Sequence, residues 1–259
     1  MAEVNNVKTT IYYFSATGNS LTTAQKLAER LGDCAVVSAA SVMNESKVID
    51  DSDAVGLVFP VYYGNMAYPM RAAVEKLVLK PETYVFSVAT YRGHAGKAAQ
   101  RLDQLLRTRG QKLSLSLGIP MPGNSFINLP EVDQDYLNKQ NAAVDALVSP
   151  IQSREAQDYS TDEILPITPV GYPNNFRGIT ADETCIGCGA CVQVCPMNNI
   201  KIVDGKARIG DDCSTCLACF HWCPTESIWM SKQEKIARRS KYHHPDVTME
   251  DIASEKRAK

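Results

Sequence analysis

The chain has 259 residues, ordinary apolar content and a formal net charge of −2. A length well beyond the roughly 100–150 residues of a usual domain predicts two domains, and the near-neutral charge argues against a nucleic-acid partner. No stretch approaches the roughly 18 apolar residues of a membrane span, and Met1–Thr10 lacks the apolar segment of a signal peptide. A cytoplasmic location without membrane contact is expected, where nine cysteines argue for metal rather than disulfides.

Residues 1–150 alternate strand-like and helix-like segments. In chain order these are strand Thr9–Phe14, helix Ser20–Leu31, strands Ala35–Ser38 and Ala54–Phe59, helix Pro69–Leu79, strand Tyr84–Ala89, helix Lys97–Arg109, strand Leu113–Gly118 and helix Asp135–Val148. Three of the strands are near-continuous apolar runs, as parallel strands buried on both faces are. The alternation predicts βαβ units and an α/β domain built on a doubly wound, five-stranded parallel sheet. From 151 to 175 the periodicity fades. Pro150, Pro166, Pro169 and Pro173 predict an extended connector there. Residues 176–231 are dense in cysteine and poor in apolar side chains, so something must replace a hydrophobic core. Residues 232–259 carry Lys235, Arg238, Arg239, Lys241, His243 and His244. They read as a solvated charged tail, with a docking surface for an acidic partner as the alternative.

The first strand leads through Ser15-Ala16-Thr17-Gly18-Asn19-Ser20 into a helix. Such a strand–loop–helix offers backbone N–H groups and a helix N-terminus to a phosphate, and Ser15, Thr17 and Ser20 add hydroxyls. Without the Gly-Lys-Ser/Thr ending of a Walker loop it suits a phosphate that stays bound; an N-capping turn is the plain alternative. In open α/β sheets ligands sit beyond the carboxyl ends of the strands. There fall Pro60-Val61-Tyr62-Tyr63-Gly64-Asn65-Met66 and Thr90-Tyr91-Arg92-Gly93-His94-Ala95-Gly96. Tyr62, Tyr63 or Tyr91 can stack on an isoalloxazine ring, and backbone groups near Gly64 and Gly93 can bond its edge. His94 is a proton donor to such a site or a plain loop histidine. The stretch 119–131 is the lid of a pocket or the seat of a second domain.

Eight of the nine cysteines fall between Cys185 and Cys223, leaving Cys34 without a role. Cys185, Cys188, Cys191 and Cys195-Pro196 form C-x2-C-x2-C-x3-C-P, and Cys213, Cys216, Cys219 and Cys223-Pro224 form it again. This resembles the run of bacterial two-cluster ferredoxins. Three cysteines two residues apart wrap a tight loop around three corners of one [4Fe-4S] cube, and the fourth reaches the other cube. One cluster is then expected on Cys185, Cys188, Cys191 and Cys223, the other on Cys213, Cys216, Cys219 and Cys195. Zinc is the competing reading, but its sites use paired cysteines, often with histidine. Gly187 and Gly189 let the backbone approach a cluster. Ile200–Val203 and Lys206–Ile209, joined by Asp204-Gly205, read as a hairpin with a type I′ turn.

Residues Ser15–Ser20 resemble the flavodoxin phosphate loop T/S-x-T-G-N-T, and Tyr91, Gly93 and Gly96 match the pattern T-Y-x-G-x-x-G. The run from Cys216 through Leu217-Ala218-Cys219-Phe220-His221-Trp222 to Cys223-Pro224 is similar to that of flavodoxin–ferredoxin fusion proteins of anaerobic bacteria and archaea. The resemblance implies a flavodoxin-like sheet of order 2-1-3-4-5, FMN as cofactor, a small α+β ferredoxin domain with two [4Fe-4S] clusters, and an anaerobic setting. The implied function is electron transfer between clusters and FMN, with redox partner proteins. The alternative is an FMN-dependent reductase of a small organic substrate fed by the clusters. A single-chain relay requires the cluster domain to pack over the flavin; otherwise transfer between the subunits of a homodimer is the fallback. Flavodoxins are usually strongly acidic, whereas residues 1–150 are charge-balanced, so the implied partners need not be the same.

Overall fold

A computed structural model of the chain describes residues 7–124, 129–165, 178–230 and 241–256. Five strands form the main sheet: β1 (Thr9–Tyr13), β2 (Cys34–Ser38), β4 (Ala54–Tyr62), β7 (Tyr84–Tyr91) and β8 (Leu115–Pro120). All pair in parallel in the order β2-β1-β4-β7-β8, which is the expected 2-1-3-4-5 once minor strands are set aside. β1 and most of β4 and β7 are buried along their length, which is why they read as unbroken apolar runs. Helices α1 (Asn19–Leu31), α3 (Tyr68–Val74) and α4 (Ala98–Arg107) lie in the crossovers, and α5 (Pro130–Gln152) follows the last strand. α1 buries Leu21, Ala24, Leu27 and Ala28, the helical spacing of one apolar stripe.

Two expectations need correction in this half. The helix expected over 69–79 ends at Val74, and Leu77–Leu79 becomes β6, which pairs in parallel with β3 (Val48–Asp50). The run Leu77-Val78-Leu79 is as good a strand as a helix turn, and a partner strand decides between them. α5 continues through Pro150 to Gln152 instead of stopping before it. Pro150 forfeits one hydrogen bond near the helix end, while Val144, Leu147 and Ile151 stay buried on one face. The short helix α2 (Ala39–Val42) and strand β5 (Asn65–Met66), which pairs antiparallel with β4, complete the half.

The cysteine-rich half holds β9 (Ile179–Ala181), α6 (Ala190–Val194), β10 (Ile200–Val203), β11 (Lys206–Ile209), α7 (Ala218–His221) and β12 (Ile228–Met230). β10 and β11 form the expected hairpin, with Asp204 at φ 51° and Gly205 at φ 70°, both positive as a type I′ turn requires. β9 pairs antiparallel with β12. Ile200 and Ile228 are buried in a small core with Cys191, Cys219 and Cys223. Phe176 and the connector residues beyond Leu165 lie outside the described residues.

The C-terminal stretch departs most from expectation. Lys235, Arg238 and Arg239 lie outside the described residues, but residues 241–256 are not a solvated tail. Val247, Ile252 and Ala253 are buried, and Val247 and Ile252 join the core of the sheet domain. Helix α8 (Met249–Ser254) begins with a capping box between Thr248 and Asp251. Lys256 Nζ donates to the Val192 carbonyl at 2.9 Å, tying the same stretch to the cysteine-rich half.

Candidate functional site

Beyond the carboxyl ends of β1, β4, β7 and β8 lies a cavity of about 340 Å³, its open mouth included. Its wall contains Ser15, Thr17, Asn19, Ser20, Pro60, Tyr62, Thr90, Tyr91 and Arg92. All nine were candidates from the sequence. Ala16, Val61, Met121, Pro122, Gly123 and Asn124 also line it. The last four belong to the stretch after the fifth main strand, which was read only as a lid or a seat.

Other candidates stand apart from the cavity wall. Gly18 sits at the N-cap of α1 with φ +100°, and an added Cβ would meet His244 and Val247 at 2.8 Å. Its missing side chain makes room for the C-terminal stretch. Gly96 packs closely on Gly64: a Cβ on Gly96 would lie 2.9 Å from the Gly64 Cα. The Gly64 carbonyl accepts from Arg101 Nη1 at 2.6 Å. Tyr63 is 62% exposed, Met66 is in the core, Asn65 Oδ1 accepts from the Met66 N–H, and Gly93 and His94 are exposed. Of each segment the first three residues, Pro60–Tyr62 and Thr90–Arg92, reach the cavity wall, and the later positions lie away from it.

Polar contacts within the chain hold the cavity wall together. Gly18 N–H donates to Ser15 Oγ at 3.0 Å, and the Ser20 and Thr90 hydroxyls meet at 2.8 Å. Asn19 Nδ2 donates to the Pro122 carbonyl at 2.7 Å, linking the loop to the opposite wall. Arg92 forms an ion pair with Asp133, and burial lowers its pKa from the usual guanidinium range. An aromatic pair, Tyr62 and Tyr91, supplies apolar wall.

The cysteines converge in two groups. Cys185, Cys188, Cys191 and Cys223 line one small cavity with Ile186, Ile202 and Ile228. Cys223, last in the sequence, has joined the first run. Electrostatic coupling gives the second group: Cys213, Cys216 and Cys219 each feel the charge of Cys195. Burial pushes the Cys216 thiol up to about 12 and the Cys191 thiol up to about 11. Thiolates in such surroundings need a cationic centre beside them. Among the described residues no three His, Cys, Asp or Glu side chains converge on a single metal ion. A four-iron cube asks for a wider spread, because each thiolate takes its own iron. Ser227 Oγ and Thr225 Oγ1 stand 3.4 and 3.6 Å from Cys223 Sγ, supplying hydroxyls to a ligand sulfur.

The two sites touch. Asn124 Nδ2 lies 2.9 Å from both the Tyr62 hydroxyl and the Cys216 carbonyl, so one amide joins the cavity wall to the second cysteine group. His221 is 2% exposed. Its Nδ1 accepts from the Tyr242 N–H at 3.0 Å, which leaves Nε2 to donate to the Asn124 carbonyl at 3.0 Å. Trp222 Nε1 donates to the Ala16 carbonyl at 2.9 Å. His221 and Trp222 were visible in the sequence as part of the second cysteine run, with no sign of this interface role.

Comparison with known proteins finds a different family in each half of the chain. A family model described as "Flavodoxin domain" matches residues 10–119, and one described as "4Fe-4S dicluster domain" matches residues 178–224. A ferredoxin of Methanothermococcus thermolithotrophicus is 38% identical over 55 residues, covering 19% of this chain and 92% of its own length. An uncharacterised protein of Porphyra purpurea, from the rpl9-rpl11 intergenic region, is 34% identical over 65 residues, covering 22% of this chain and 87% of its own. A flavoprotein from Lactobacillus acidophilus NCFM, solved in complex with FMN, aligns with 43% of this chain and 93% of its own at 16% identity and a TM-score of 0.35. A flavodoxin domain takes FMN and a dicluster domain takes two [4Fe-4S] clusters, so these are the cofactors of this chain. The two domains follow one another in a single polypeptide, and the chain belongs to the flavodoxin–ferredoxin fusion proteins.

Proposed function

We propose that this electron-transfer protein relays electrons within one chain between two [4Fe-4S] clusters and FMN. FMN exchanges electrons singly or in pairs, and each cluster carries one. The single observation that carries the reading is Asn124, whose amide reaches Tyr62 in the cavity wall and the Cys216 carbonyl in the second cysteine group.

In this reading the loop 15–20 holds the FMN phosphate through backbone N–H groups and the hydroxyls of Ser15, Thr17 and Ser20. Tyr62 and Tyr91 flank the ring, and Thr90 and Arg92 face its polar parts. Cys195, Cys213, Cys216 and Cys219 bind the cluster nearer the flavin. Cys185, Cys188, Cys191 and Cys223 bind the outer one, whose loop is the more open: Cys188 is exposed and Ile186 is 66% exposed. That edge is where a partner protein exchanges electrons with the chain.

The test is an absorbance spectrum of protein purified without oxygen, with iron, sulfide and flavin assays on the same sample. About eight iron per chain with one FMN is expected. Iron without flavin removes the FMN end of the relay, and zinc in place of iron removes the whole reading.

A further inference from the structure

The residues just before α8 lie against the back of the phosphate loop. The His244 N–H donates to the Thr17 carbonyl at 2.7 Å, and the Tyr242 hydroxyl lies 2.6 Å from Asn19 Oδ1. Trp222 Nε1 holds the preceding carbonyl, that of Ala16. In a trans peptide the C=O and the following N–H point in opposite directions. Anchoring the Ala16 and Thr17 carbonyls on the outside therefore turns the Thr17 and Gly18 N–H groups the other way. For Gly18 the result is visible, because its N–H donates to Ser15 Oγ, a residue of the cavity wall. Asn19, held at Oδ1 by Tyr242, reaches across at Nδ2 to Pro122 on the opposite wall.

We infer that residues 241–247 form a strap that, with Trp222, sets the phosphate-binding geometry of the flavin site, making Tyr242 and Trp222 positioning residues for the FMN phosphate. This rests on the flavin reading above and adds to it a part of the site that lies far from the loop in sequence. Three features support the assignment. Gly18 lacks a Cβ where His244 and Val247 press against it. Trp222 stacks on His243 with ring centroids 4.4 Å apart. His221 receives the Tyr242 N–H, so the strap is held by the same element that carries Trp222. Binding of the phosphate is thereby coupled to docking of the cluster domain.

The experiment uses full-length, cluster-loaded protein, freed of flavin without oxygen and titrated with FMN and with riboflavin. The variants are Tyr242→Phe and Trp222→Phe, each deleting one donor while keeping an aromatic ring. Each should weaken FMN by about two- to tenfold, the range of one hydrogen bond, leaving riboflavin affinity and iron content at wild-type values. Equal FMN affinity in wild type and both variants overturns the inference. So does an equal loss for FMN and riboflavin, which would place the effect on the ring. If cluster-loaded wild type binds neither flavin, the flavin reading itself falls and takes the strap's role with it.

Discussion

Cys223 shows how one side chain can belong to a site its neighbours do not share. It follows Cys219 in the chain yet lines a cavity with Cys185, Cys188 and Cys191. Cys223→Ser is therefore expected to alter the EPR signal of the cluster on the first cysteine run and leave the other unchanged; the reverse pattern would exclude crossed ligation. Glu255 is a second case. It is 4% exposed, its Oε1 has no hydrogen-bond partner among the described residues, and burial raises its pKa well above the usual carboxyl value. A raised folded value means the unfolded chain gives up the proton first. Stability from this group is full below the ordinary carboxyl range and declines as pH rises through the folded value. Glu255→Gln keeps an acceptor for the Ser15 N–H and removes the charge. It should raise the melting temperature at pH 7–8, by an amount equivalent to roughly 1–2 kcal/mol, with little change near pH 5.

At the scale of elements, the cluster loops are held by backbone contacts that only glycine permits. A Cβ on Gly187 would lie 2.6 Å from the Gly205 carbonyl oxygen, and its φ is +66°. Gly187→Ala should destabilise the cysteine-rich half by about 1–3 kcal/mol, seen as faster loss of cluster absorbance in denaturant. The strap has its own pH dependence. His244 is 2% exposed, and burial brings its pKa down to about 4, with Asp246 and Lys26 as nearby charges acting in opposite directions. A depressed folded value means that the undocked strap takes up a proton first. Docking stability is complete above about pH 6.5 and falls as pH drops toward about 4, by roughly 3 kcal/mol in all. Melting temperatures between pH 7 and 5 should decline less steeply in His244→Gln, whose side chain does not titrate.

For the whole molecule, the Asn124 amide links the cavity to the second cysteine group. Cys216 and Ala218 from the cysteine-rich half and Val247 and Ile252 from the C-terminal stretch belong to the core that packs the sheet. Asn124→Ala deletes the amide between Tyr62 and Cys216. Electron exchange between clusters and flavin should slow in stopped-flow absorbance, at unchanged iron and FMN content. An unchanged rate would leave Asn124 as packing alone.

By itself the sequence determined the alternation of strands and helices in the first half, the strand–loop–helix at Ser15–Ser20, the hairpin at Asp204-Gly205 and the doubled cysteine run, while the order of the main sheet came from the family resemblance. Each depends on local pattern: apolar runs, glycine at fixed offsets, ligand spacing within a loop. Tertiary structure decided what local pattern cannot encode. Leu77–Leu79 became a strand because Val48–Asp50 pairs with it. Tyr63, Gly64, Asn65, Met66, Gly93, His94 and Gly96 left the cavity because of the paths of their loops, and Met121–Asn124 entered it. Residues 241–256, polar enough to read as solvated, pack inward because two domains together provide a surface that neither segment's sequence reveals. His221, Trp222 and Tyr242 acquired their contacts in the same way, since hydrogen-bond partners as distant as Asn124 for His221, 97 residues away, and Asn19 for Tyr242, 223 residues away, are chosen by folding and not by neighbourhood in the chain.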